Sequence, residues 1–289
     1  MGQDFDPDED WRMYHGKLVP GFPSHPHRGF ETVTVVRKGF IDHSDSLGAT
    51  GRFGNGDTQW MTAGAGVQHS EMFPLLNTDR GNPLELFQIW LNLPSQSKGV
   101  SPYYTMLWSE EVPKVSHVDA KGKVTDIEVV AGKLEGSTPL PPPPDSWASD
   151  SDHGVAIWVI RMAADATWDL PASVEGLNRT LFFYQGDSID IAGTSVAARN
   201  SITLDSEQAV TLKNGESESF LLLLQGRPIG EPVVSHGPFV MNTQAEIEQA
   251  YADFRRTQFG GWPWRTSDPV HQRIQGRFAR YPDGKVVVR

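Results

Sequence analysis

Cysteine is absent from all 289 residues. That excludes disulfides, thiolate-held zinc and a cysteine nucleophile, and it leaves any metal to nitrogen and oxygen donors. Positive charge is scarce as well: 25 Lys and Arg stand against 36 Asp and Glu, for a net charge of −11 with no basic block. Attraction to nucleic-acid phosphates is weak over most of such a surface, so direct DNA binding is not expected. Long apolar runs are missing too, and nothing approaches the roughly 20 residues that span a bilayer. The opening "MGQDFDPDEDW" is acidic and has neither the basic nor the apolar part of a secretory leader. A cytoplasmic location is expected, with the nucleus as a second option in a eukaryote. What is present is length enough for two domains and a sizeable core, at 38% hydrophobic and 21% charged residues, as in a globular protein.

The chain reads mainly as strands broken by Gly, Asn and Asp, which predicts an all-β protein of barrels or sandwiches. "FETVTVVRKG" (30–39) is β-branched. "LELFQIWLNLP" (84–94) alternates, with Phe87, Ile89 and Leu91 on one face and Gln88, Trp90 and Asn92 on the other. "VAIWVIRM" (155–162), "RTLFFYQG" (179–186) and "SFLLLLQG" (219–226) read as buried strands. One helix is marked by a capping-box pattern at Thr243 and Glu246, then Ile247, Ala250, Tyr251 and Phe254 at helical spacing, with Gly260 and Gly261 beyond. Its apolar stripe is expected to pack on a barrel exterior.

A weak internal repeat relates "TVTVVRKGFIDHSDSLG" (32–48) to "TLFFYQGDSIDIAG" (180–193). It divides the chain into an N-terminal barrel over 1–136, a Pro/Ser/Asp-rich linker over 137–154, a C-terminal barrel over 155–262 containing a helix at 243–259, and an extension over 263–289. The four consecutive prolines of "LPPPPD" favour extended backbone crossing the surface between the barrels.

Histidines supply the chemistry. "HPH" sets His25 and His27 one residue apart, and "VQHSEM" repeats the gap with His69 and Glu71. Residues two apart on a strand share a face, so two such strands can close four donors around one cation. Three imidazoles and a carboxylate suit Fe, Mn, Co, Ni, Cu or Zn, and an octahedral ion keeps two positions open. Glu31 is a fifth ligand or an acceptor for a histidine N–H. His43 reads as a turn residue or as support for the ligands. His15, His117, His153, His236 and His271 have no paired donor. Phe30, Trp60, Met72 and Phe73 are candidates for an aromatic-lined mouth.

These blocks resemble the pirin family of the cupin superfamily. "HPHRGFETVT", "GDTQWMTAGAGVQHSEM" and "GRPIGEPVVSHGPFVMNTQAEIEQAYADF" look like three pirin signatures in the right order, and the likeness runs from about Gly21 to Gly260. The resemblance implies a bicupin: two cupin barrels packed together, with metal in the first only. It also implies that His25, His27, His69 and Glu71 are the ligands of one mononuclear ion, Fe(II) by preference, and it moves Glu31 out of the ligand set. Aligning Gly186 with Gly39 puts Ala172, Val174 and Asn178 where His25, His27 and Glu31 stand, consistent with a metal-free second barrel. The implied activity is quercetin 2,3-dioxygenase-like: a flavonol and O2 as substrates and Glu71 as the base. The alternative is an iron- and redox-dependent regulator that binds a transcription factor or a metabolic enzyme. The histidine block stands closer to the N-terminus than is usual in pirins, so either the first barrel lacks a usual strand or the chain starts internally. An unpaired edge would need cover by the partner barrel, a loop or another chain.

Overall fold

The computed structural model describes residues 18–289; the acidic opening and His15 lie outside the described residues. The chain forms two compact units, one running up to Ser109 and taken up again by Glu231–Arg289, the other spanning Glu110–Gly230. No described helix is long and apolar enough to cross a membrane.

The first unit begins with β1 (Gly21–His27), β2 (Phe30–Lys38), β3 (Phe40–Asp45), β4 (Thr50–Gly54), β5 (Thr58–Thr62), β6 (Val67–Met72), β7 (Glu85–Asn92) and β8 (Tyr103–Leu107). The second unit holds β9 (Lys114–Val118), β10 (Val124–Ala131), β11 (Ala156–Met162), β12 (Thr167–Leu170), β13 (Asn178–Gln185), β14 (Ser188–Ile191), β15 (Thr194–Ala197), β16 (Asn200–Leu204), β17 (Val210–Asn214) and β18 (Ser219–Gly226). The chain then returns to the first unit with β19 (Val234–His236), β20 (Phe239–Met241), α1 (Gln244–Thr257), β21 (Phe278–Arg280) and β22 (Val286–Val288).

The repeat is visible in the sheet orders. The first unit pairs its strands as β1-β6-β3-β4-β21-β22 and β7-β2-β5-β8; the second contains β12-β17-β14-β15 and β16-β13-β18-β11-β10-β9. Thus β2 lies between β5 and β7 just as β13 lies between β16 and β18. The core of the second unit is one apolar cluster that includes Trp168, Leu181, Phe183 and Leu223. The first unit instead buries Glu31, Asp42, His43, Asp45, Arg52, His69 and Glu71 among its apolar residues.

Four boundaries differ from the sequence reading. Strands β9 and β10, expected in the first barrel, belong to the second unit, where β10 pairs with β11 in register from Thr125–Met162 to Ala131–Ile157. Residues 137–154 therefore connect two hydrogen-bonded neighbours and are not a link between barrels. The helix sits in the first unit: Ile247 and Ala250 pack with Phe239 on the β19–β20 hairpin. An apolar stripe fixes only that a helix is covered, and tertiary proximity decides by what. Thr243 forms the expected capping box with Glu246, and the helix stops at Gln258 in the left-handed region, before the two glycines.

The fourth difference concerns the extension. Residues 263–289 contribute β21, which pairs with β4 through Phe278–Arg52 to Arg280–Thr50, and β22 beyond it. Fully buried Arg52 locks the segment in place. Its Nε and Nη2 reach Asp42 at 2.6 and 2.7 Å, and Nη1 reaches the Gln272 and Gln275 carbonyls at 3.0 and 2.8 Å. The side of β4 away from β3 is thus paired by the chain's own C-terminal segment.

Candidate metal centre

Strands β1 and β6 run antiparallel, with His25 opposite His69 and His27 opposite Val67. An irregularity between Phe22 and His25 shifts the register, as a bulge does when it re-aims a side chain. The imidazoles converge: ring centroids lie 4.8 Å apart for His25–His27, 4.4 Å for His25–His69 and 4.9 Å for His27–His69. One nitrogen from each ring falls within 4.8 Å of the others.

Backbone carbonyls set two of the tautomers. His25 Nδ1 lies 2.8 Å from the Pro23 carbonyl and His27 Nδ1 lies 3.3 Å from that of Pro238. A carbonyl only accepts, so each Nδ1 carries its hydrogen and each Nε2 keeps a free lone pair. His69 is fully buried, and neither of its ring nitrogens has a hydrogen-bond partner. Buried polar atoms are rarely left so. An orphaned imidazole facing two others that present lone pairs fits a cation.

Electrostatics keep His27 and His69 neutral. Burial first, then the neighbouring His25, brings His27 down to about 3, against a smaller upward pull from the Pro238 carbonyl. Burial, followed by His25, His27 and His43, holds His69 well below the ordinary imidazole value. Neutral rings are the form that binds metal. Glu71, one position further along the same face of β6, is pushed up by burial; His25, His43 and the hydrogen bonds from Thr34 and Gln88 pull it down. Its Oε1 is 3.2 Å from Thr34 Oγ1, and its Oε2 accepts from Gln88 Nε2 at 3.3 Å.

Comparison with known proteins now bears on this geometry. The Pirin family profile matches residues 1–91, and the Pirin C-terminal cupin domain matches 157–260. The chain belongs to the pirin family. It is 34% identical to pirin of Homo sapiens over 252 residues, covering 86% of this chain and 80% of that one. A pirin-like protein of Caulobacter vibrioides is 36% identical over 239 residues, covering 83% of this chain and 80% of the other. A crystal structure of quercetin 2,3-dioxygenase from Acinetobacter baumannii aligns with TM-score 0.72 and 32% identity, over 85% of this chain and 81% of that one. The fold is that of an all-β bicupin.

Within this pirin fold, the other sequence candidates fall as follows. Glu31 lies on β2, fully buried, and accepts from Thr62 Oγ1 at 2.6 Å; the convergent donors are His25, His27 and His69, and neither Glu31 nor Glu71 is among them. His43 stands opposite Glu71 on β3 and lies 5.6 Å from the His69 ring. Its Nε2 meets Asp45 Oδ2 at 3.2 Å, and its ring stacks on Tyr104 at 5.1 Å. His43 is therefore a buried strand residue beside the site and not a turn. His153 stacks on Trp147, His236 meets Tyr251 and His271 meets Thr50. Trp60 is fully buried in the core and lines no mouth, and Phe30, Met72 and Phe73 are buried with it.

Three residues next to the site were not picked out from the sequence: Thr34, Gln88 and Trp90. Thr34 faces Gln88 across the β2–β7 pair and Thr32 faces Trp90. Trp90 is half exposed, lies 4.3 Å from Phe30 and 5.5 Å from His27. The signal was present in the alternation of β7, which set Gln88 and Trp90 on one face. What was missing was which face looks toward the histidines.

The third signature block holds this site from behind. Pro238 supplies the carbonyl for His27, and Val240 N donates to the Arg28 carbonyl at 3.0 Å. Buried Lys98 bridges the Gly29 and Val240 carbonyls at 2.7 and 3.0 Å. Arg28 reaches Asp253 of α1 at 2.9 Å and lies over the Phe259 ring at 4.7 Å. Gly66, at φ +134°, leaves no room for a Cβ against that same ring.

Proposed function

We propose that this chain is a mononuclear metal-dependent dioxygenase of flavonols, with His25, His27, His69 and Glu71 as ligands of Fe(II) and Glu71 as the base. The observation that carries the reading is His69, a fully buried imidazole with two orphaned nitrogens facing two others. The A. baumannii quercetin 2,3-dioxygenase supports the substrate class. Fe(II) held by these residues would supply Lewis acidity toward a flavonol oxygen and redox chemistry with O2.

The chain's own residues do the rest. Glu71 takes the proton of the flavonol 3-hydroxyl. Burial raises its carboxyl above the ordinary range, which makes it a better base near neutral pH. Thr34 and Gln88 hold the two carboxylate oxygens in place. The exposed side of Trp90, braced by Phe30, offers a flat aromatic face beside His27 on which a flavonol can stack. Buried Phe30, Met72 and Phe73 add apolar packing in the same barrel.

The test starts with elemental analysis of protein purified without added metal. The same sample is then mixed anaerobically with quercetin. A shift of the flavonol absorption band, followed by its loss when O2 is admitted, is expected. Metal-loaded protein that leaves the band unmoved would falsify the flavonol assignment. Glu71→Gln that keeps its metal is expected to turn over at least about 10²-fold more slowly; turnover at the wild-type rate removes Glu71 as the base.

A further inference from the structure

The described residues include two fully buried arginines, and only one is neutralised. Arg52 is clamped to Asp42 by two nitrogens at 2.6 and 2.7 Å. Arg179, in the second unit, is 1% exposed. Its Nε donates to Gln225 Oε1 at 2.6 Å and its Nη1 to the Pro171 carbonyl at 2.8 Å. Among the described residues no carboxylate forms an ion pair with it, and the two bonds from Nε and Nη1 are to uncharged acceptors. Burial alone lowers its pKa, with no carboxylate to oppose the shift. Arginine is almost never buried without a counter-charge.

Arg179 lies on the floor of a cavity of about 520 Å³. The walls are mixed: Leu134, Leu140, Pro141 and Trp158 supply apolar surface beside polar groups, and most of the lining comes from the proline-rich connection between β10 and β11. Ser173 stands beside the guanidinium, its hydroxyl 3.3 Å from Gln225 Nε2. Gln225 Nε2 is also tied to the Gly154 carbonyl at 2.9 Å, so the cluster is fixed before any ligand arrives. Lys133, Glu135 and Asp150 line the rim, and the Asp150 carboxylate accepts from the Asp152 backbone at 2.9 Å. Neither rim carboxylate forms an ion pair with Arg179.

We infer that the second barrel binds a small organic carboxylate with a flat apolar body, its carboxylate on Arg179 and its body against Trp158 and the prolines. A guanidinium fork matches a carboxylate. One buried charge flanked by Trp158, Leu134 and Leu140 favours a monoanion that carries hydrocarbon over a strongly hydrated inorganic anion. The site uses none of the histidine-bearing strands, so it stands or falls apart from the dioxygenase reading.

The test is amide and side-chain NMR of the full chain, as purified, titrated with benzoate, with benzamide and with inorganic phosphate. Benzoate is expected to shift Gln225, Ser173 and the 137–154 segment, and to bind at least about tenfold more tightly than the neutral amide or phosphate. Equal response to benzamide shows an apolar pocket with no use for charge, and equal response to phosphate shows a generic anion site; either overturns the inference. Shifts confined to His25, His27 and His69 overturn it too. Arg179→Gln is expected to weaken benzoate at least about tenfold. Should that variant not fold, Ala172→Trp, placed on the cavity wall, decides: undiminished benzoate binding there sinks the site.

Discussion

Where His69 faces His25 across β6 and β1 of the first barrel, Val210 faces Leu170 across β17 and β12 of the second. Where His43 faces Glu71 on β3 and β6, Ile191 faces Leu212 on β14 and β17. The four residues of the second barrel belong to its apolar cluster, whereas those of the first include the orphaned imidazole of His69. One strand plan thus supports both a cluster of convergent imidazoles and a dry core. The fold does not choose between them; a few side chains do, and the polar choice is stable only if something satisfies the donors.

That comparison can be broken most forcefully with acid. His27 has a folded value near 3 against an ordinary 6.5, so the unfolded chain takes up its proton first. The contribution is full above about pH 6.5 and is lost as pH falls toward 3, on the order of 5 kcal/mol across that window. His69 acts in the same direction. Glu71 acts in the opposite one: its raised value means that its burial cost is relieved as pH falls. Denaturant melts of metal-free protein between pH 7 and pH 4 should show a net loss, and His27→Asn should flatten it. A pH-independent midpoint would remove the neutral-imidazole account.

Exchanging the interiors comes next. Leu212→Glu puts an unpaired carboxylate into the apolar cluster and is expected to cost roughly 4 kcal/mol, read by urea unfolding. The reverse change, Glu71→Leu, is expected to leave metal-free stability unchanged or raised while metal content falls. If both changes destabilise alike, the two interiors are not opposites.

The two buried arginines offer a smaller contrast. Arg52→Ala strands Asp42 without its partner and frees the 271–275 carbonyls, for a loss of roughly 3 kcal/mol. Arg179→Ala leaves no buried charge behind, only Gln225 and one carbonyl, and is expected to cost about 1–2 kcal/mol. Chemical denaturation of both variants checks the order. The smallest effect is that of Thr34→Val, which removes one hydroxyl from Glu71: stability should move by about 1 kcal/mol, with turnover falling more than metal content.

Much of this was legible in the order of residues. The strand over 219–226, the capping box at Thr243 and the repeat that aligns β2 with β13 all follow from period and punctuation, which are local. The spacing of His25, His27 and His69 marked the convergent imidazoles for the same reason, since alternate strand residues share a face. The equivalence drawn through Ala172 and Val174 did not hold. Residues 171–177 join β12 to β13 where only Arg28 and Gly29 join β1 to β2, so a constant offset drifts, and Leu170 takes the place opposite Val210. Gln88 and Trp90 were placed on one face without a way to know what that face meets.

By itself, then, the sequence determined the all-β class, the duplicated strand plan, the helix that follows Thr243 and the pairing of histidines along each strand, because each depends on neighbours a few residues apart. Only tertiary structure decided that β9 and β10 join the second sheet, that α1 and the last strands return to the first unit, that Pro238 steadies His27, and that Arg179 is buried without a counter-charge. Those are contacts across tens to hundreds of positions, and no local period encodes which distant backbone will come within hydrogen-bond reach.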